Sequence, residues 1–219
     1  MQAVEGKTGS ITLQYICVGP RANMPNDYRL FMDFTNTKAD QNRFKTALYG
    51  TYNFDTGYWG YNASRSTKPV YNTANGGTLS FQIAQGGNQP YIQMTDPTGS
   101  LSARPMKYNP EAGDTLKIRF KLTNCKAMSG VTPSLRLFYI KNYSTSGVAG
   151  TDYTGQKLNV STAFSGNYVT LTIPLNSTFT TAKYINALRI SFMGVEAVAG
   201  KTATVTIDYI AIGQSHELP

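Results

Sequence analysis

The chain has 219 residues, enough for one large domain or two small ones with a real core. Twenty Lys and Arg against twelve Asp and Glu give a formal charge of +8, yet only 15% of residues are charged, below the usual value of about a quarter. With 41% hydrophobic and 12% aromatic residues, the composition excludes a disordered chain, a charged coiled coil and a collagen-like fibre.

Abundant Tyr, Thr, Asn and Gly point to an all-β protein, because strands favour Thr and Tyr while turns favour Gly and Asn. No apolar run approaches the roughly 18 residues of a membrane span, so no membrane insertion is expected. MQAVEGKTGS carries no apolar signal-peptide core, although a processed secreted chain would look the same. Lys and Arg are scattered rather than clustered, which argues against nucleic acid and leaves at most a weak attraction to anionic polymers. Cys17 and Cys125 are either two thiols or one bridge, and both readings stay open.

In chain order, residues 1–10 read as a flexible segment. ITLQYICV at 11–18 reads as a first strand and YRLFMDF at 28–34 as a second. Thr37 with Asp40 resembles a cap, and Phe44, Ala47 and Leu48 have helical spacing, which predicts one short helix near residues 38–48. TYNFDTGYWGYN at 51–62 is dense in aromatics and turn formers. TLSFQIA at 78–84 alternates, with Leu79, Phe81 and Ile83 on one face; YIQMT at 91–95 and a short extended piece at 104–108 follow. TLKIRFKL at 115–122 puts Leu116, Ile118, Phe120 and Leu122 inward and Lys117, Arg119 and Lys121 outward. SLRLFYI at 134–140, QKLNV after a polar Gly-containing loop, YVTLTIPL at 168–175, NALRISFMG at 186–194 and TATVTIDYIAIG at 202–213 complete the set. About nine to eleven strands and no convincing linker predict one antiparallel β-sandwich domain over 11–213, with 214–219 as a tail.

The closing pattern, YVTLTIPL, then INALRISFMG, then TVTIDYIAIG, resembles the last strands of jelly-roll carbohydrate-binding modules, over residues 115–213. LFMDFTNTKADQNRF and TGYWGYN resemble the beginning of domains in large secreted or cell-surface proteins of gut bacteria. The resemblance implies a non-catalytic extracellular module that binds a polysaccharide on a concave sheet or in rim loops, attached to catalytic or surface-anchoring domains. It also implies a structural calcium, with Asp208 at the position of a ligand. Read from the residues alone, Asp208 is equally an outward strand residue.

A sugar site needs exposed flat aromatics beside amide, carboxylate or guanidinium groups. Tyr58, Trp59 and Tyr61, with Asp55 and Asn62, form one candidate platform; alternatively Trp59, the sole tryptophan, plugs one end of the sandwich. A second candidate is a polar sheet face drawn from Gln82, Tyr91 with Gln93, Arg119, Arg136 with Phe138, and Arg189 with Ser191. The alternative there is an ordinary solvated sheet. Tyr139 flanks the long 141–156 loop and either binds or packs it. Arg104, ahead of Pro105, either reaches a ligand or pins a chain reversal.

Catalysis finds little support. No paired-carboxylate strand motif of a glycosidase is present, and the Glu111 and Asp114 of PEAGD read as turn chemistry. The single histidine, His216, falls in the expected tail, and no phosphate-binding glycine motif occurs. The expectation is a binding module rather than an enzyme. The alternatives are a structural or adhesive domain of a bacterial surface protein and a Tyr/Arg polysaccharide lyase.

Overall fold

A computed structural model describes residues 30–32, 34, 59–72, 77–84, 88–94, 108, 110–141, 153–183 and 185–215. Within them lie thirteen strands and two single helical turns. The strands are β1 (Leu30–Met32), β2 (Trp59–Tyr61), β3 (Val70–Asn72), β4 (Thr78–Gln82), β5 (Tyr91–Met94), β6 (Asp114–Thr123), β7 (Cys125–Ala127), β8 (Ser134–Lys141), β9 (Tyr153–Lys157), β10 (Val169–Pro174), β11 (Ile185–Met193), β12 (Val195–Ala197) and β13 (Thr204–Gln214). The turns are α1 (Val160–Ala163) and α2 (Ser177–Thr180). No helix among the described residues is long and apolar enough to cross a membrane.

Two antiparallel sheets result. The first has six strands in the order β10-β6-β13-β4-β3, with β1 also paired to β13; the second has five, β2-β5-β11-β8-β9. Among the described strands the chain changes sheet at β1 to β2, β2 to β3, β4 to β5, β5 to β6, β6 to β8 by way of β7, β9 to β10, β10 to β11 and β11 to β13 by way of β12, the crossover habit of a jelly roll. Period-2 patterning explains why the sheets stack. Leu116, Ile118, Phe120 and Leu122 of β6 are buried, as their alternation predicts, and face Leu135, Leu137, Leu188, Ile190 and Phe192 of the second sheet. Phe192 sits 5.1 Å from Phe120 and 6.4 Å from Phe81, so one ring from the second sheet locks between two from the first. Burying each such ring stabilises the fold by about 1.5–3 kcal/mol.

Asn124 and Gly194 both take left-handed backbone, at φ 54° and 67°, where β6 and β11 end. Each turn starts a short continuation, and these two pair as the β12-β7 ribbon. At Gly194 a side chain would also collide with Val131 Cγ1, 2.8 Å from its first carbon.

Two expectations change at the level of elements, those for QKLNV and for Gln214. QKLNV does not remain extended: the Asn159 side chain accepts from the Ser161 and Thr162 amides and starts α1. Asn176 does the same for α2, accepting from the Phe179 amide at 2.9 Å. Gln214, expected in the tail, ends β13 and donates to Asp114 Oδ1 (3.0 Å) and the Ala112 carbonyl (3.1 Å). The buried Asp114 also accepts from Tyr108 Oη (2.6 Å) and the Glu111 amide (2.8 Å), so PEAGD is a built junction between the start of β6 and the end of β13. The first expected strand at 11–18 and the helix at 38–48 lie outside the described residues.

Candidate functional site

The five-stranded sheet turns Leu137, Leu188 and Ile190 toward the core, so the alternate residues face away. The register arranges these outward residues in two rows. Gly60, Gln93, Arg189 and Phe138 are successive partners across β2, β5, β11 and β8. Tyr91, Ser191, Arg136 and Gly155 make the row beside it. Gly155 is required at its place: an added Cβ would lie 2.7 Å from the Leu135 carbonyl and 3.0 Å from Arg136 Cγ. The Arg136 stem therefore lies against bare backbone.

A groove of about 300 Å³ opens on this face, lined among others by Asn62, Arg65, Tyr91, Phe138, Arg189 and Ser191. Its centre is Arg189. The guanidinium carbon lies 4.1 Å from the Phe138 ring centre and 4.9 Å from that of Tyr91. Two aromatic faces hold one planar cation, which fixes its orientation before anything binds. Burial draws the Arg189 pKa below its ordinary value; Tyr91 works against that fall and the positive Arg65 adds to it. The group stays charged at neutral pH.

The sequence matches no protein-family model, and no curated protein is similar to it. Solved carbohydrate-binding modules are similar to it. One from the β-sandwich superfamily, described for promiscuous specificity, has a TM-score of 0.45 at 11% identity, covering 78% of this chain and 64% of that one. This chain thus spans less than two thirds of that relative's length. A module specific for non-crystalline cellulose has a TM-score of 0.46 at 17% identity, over 77% of this chain and 95% of that one. A module studied for specific mannan recognition gives 0.41 at 14% identity, over 84% and 94%. These are modules of the kind the closing strands resemble; at such values they say nothing of what this chain binds.

The sheet face thus gathers Tyr91, Arg136, Arg189 and the rim residue Asn62 from the sequence candidates. Others fall elsewhere. Trp59 is a correction: it is 4% exposed and packed in the core. The surrounding turn formers suggest a loop, but Trp59 starts an edge strand and pairs with Met94 on the inward side. Tyr61, two residues on, is 38% exposed at the end of that strand. Tyr139 is a second correction. Its ring is buried edge-on to Phe179 at 4.9 Å, and its hydroxyl donates to Asn176 Oδ1 at 3.0 Å, so it supports the cap of α2. Tyr58, Asp55 and Arg104 lie outside the described residues.

Arg119 and Gln82 belong to the other sheet. Gln82 is exposed at the end of β4, by a separate cleft beside the β12–β13 turn. Arg119 forms an ion pair with Asp208 and lies 4.4 Å from the Tyr168 ring centre. The pairing of β13 with β6 slips between Ile207 and Tyr209. This bulge lets Ile207, Ile210 and Ile212 all stay buried while Asp208 turns outward to Arg119. Burial raises the Tyr168 pKa; Asp208 adds to the rise and Arg119 opposes it.

That ion pair bears on the calcium expectation. A calcium ligand set needs about six to eight oxygens, whereas the Asp208 carboxylate already meets a cation. Among the described residues no group of three or more His, Cys, Asp or Glu gathers to hold a metal. Among the described residues, Asp208 is held by an arginine and not by a carboxylate cluster.

Arg65 was not singled out by sequence reasoning, because it sits in a loop where no periodicity marks direction. Phe138 did carry a signal: an aromatic residue on the polar side of SLRLFYI, between Leu137 and Tyr139 that point inward.

Proposed function

We propose that the chain is a non-catalytic module that binds a polysaccharide along the outer face of the five-stranded sheet. The observation that carries this reading is the Tyr91–Arg189–Phe138 stack in an open groove. Aromatic edges and faces suit the C–H surfaces of sugar rings, and a fixed guanidinium suits adjacent oxygens. Asn62 and Ser191 add donors and acceptors at the margin.

Among the described residues no Asp or Glu lines the groove. The reading extends to a secreted or cell-surface location and to neighbouring catalytic or anchoring domains on a longer chain, which would gain local concentration at the polymer.

Affinity electrophoresis against a panel of soluble plant, algal and host polysaccharides tests the proposal. Retardation by at least one polymer, lost in Phe138→Ala with an unchanged melting temperature, supports it. Failure to bind any polymer, with capture of purified surface proteins instead, favours the adhesive alternative.

A further inference from the structure

Two cations elsewhere on this protein are neutralised by carboxylates. Arg119 meets Asp208, and Lys126 meets Glu196 at 3.1 Å. The groove differs. Arg65 and Arg189 both line it, and neither forms an ion pair among the described residues. Arg65 Nη1 reaches only the Asn88 carbonyl at 3.3 Å and the Asn88 amide oxygen at 3.5 Å, both neutral. The Nε of Arg189 is buried without a hydrogen-bond partner.

We propose that the groove recognises an acidic polysaccharide through an anionic substituent, a carboxylate or a sulfate ester, seated against Arg189 and Arg65. This inference rests on the module reading above and names its ligand class. Two guanidiniums facing one partly enclosed space repel each other and are partly stripped of water. A neutral sugar replaces some of the lost hydrogen bonds but leaves the repulsion, whereas one anion relieves both costs. The fork of a guanidinium matches the paired oxygens of a carboxylate, and the Tyr91 and Phe138 rings already hold that fork in place. Binding therefore loses little side-chain entropy. The formal charge of +8 brings the polymer in, but the groove selects it.

The experiment uses the full chain and pairs of polymers that differ in charge alone: polygalacturonate against its carboxyl-reduced form, and dextran sulfate against dextran. Arg189→Gln is compared with Lys121→Gln, which removes the same charge from the opposite sheet. The expected result is binding to an acidic member and not to its neutral partner. Arg189→Gln should weaken it about tenfold or more, as loss of a charge-assisted hydrogen bond does, and Lys121→Gln less than about twofold. Binding to polygalacturonate alone assigns a uronate; binding to both acidic polymers assigns anionic sugars as a class.

Equal binding of the neutral partners overturns the acidic preference and leaves the module reading intact. Equal losses in Arg189→Gln and Lys121→Gln show an effect of overall charge and overturn the site. Absence of binding to these polymers and to every neutral polysaccharide overturns both readings.

Discussion

Trp59→Ala separates the two roles a lone tryptophan can have. At 4% exposure, with Met94 opposite it on β5, the indole belongs to the core. Its removal deletes the largest side chain at the β2 edge, and truncations of this kind cost about 3–5 kcal/mol. For a domain of this size each kcal/mol lowers the melting temperature by about 2–4 °C, so the expected fall is about 6–20 °C. Circular dichroism should follow the melt, since the variant lacks the only tryptophan. Trp59→Phe, which keeps much of the volume, should recover a good part of the loss. Wild-type tryptophan emission should be blue-shifted and poorly quenched by acrylamide. Polysaccharide affinity, measured well below the lowered melting temperature, should be unchanged. An unaltered melting temperature with abolished binding would refute the reasoning and return Trp59 to the role of an exposed platform.

The other expectations concern stability and chemistry away from the groove. Tyr108→Phe leaves the buried Asp114 carboxylate without its 2.6 Å donor and should cost about 1.5–3 kcal/mol in urea unfolding. Burial pushes the Cys125 thiol up to about 12, against lesser opposing bonds to the Thr204 and Thr123 carbonyls, so it should resist thiol reagents at pH 8 until the protein is denatured. A pKa raised in the folded state gives stability that is intact below the ordinary thiol value of 9.0 and is lost as pH rises toward 12; Cys125→Ala should lessen that alkaline loss in pH-dependent melts. Because Arg119 occupies the Asp208 carboxylate, a chelator should leave the melting temperature unchanged; a clear fall would restore a calcium site. Incubation with any retained polymer should yield no new reducing ends and no unsaturated products.

Direction within a strand was legible in the sequence. Leu116, Ile118 and Phe120 point one way and Lys117, Arg119 and Lys121 the other, because the side-chain period is two and one face must be dry. The same rule does not say which sheet a strand joins. Arg119 and Arg189 look alike, each the outward cation of an alternating strand, yet β6 and β11 lie in different sheets and their outer faces point oppositely. The expected single groove therefore divides: Arg189, Arg136 and Tyr91 share one face, while Arg119 and Gln82 belong to the other. The bulge at Asp208 had a mark, since VTIDYIAI breaks strict alternation between Ile207 and Ile210. Trp59 kept two readings in the sequence because Gly57 and Gly60 beside it speak for a turn; pairing with β5 decides for the buried one.

Amide chemical-shift mapping with an oligosaccharide of a retained polymer tests the central claim most directly. The account predicts that the largest changes fall on Tyr91, Gln93, Phe138, Arg189 and Ser191, with little change on the six-stranded sheet. Changes centred on Arg119, Tyr168 and Asp208 instead would contradict it.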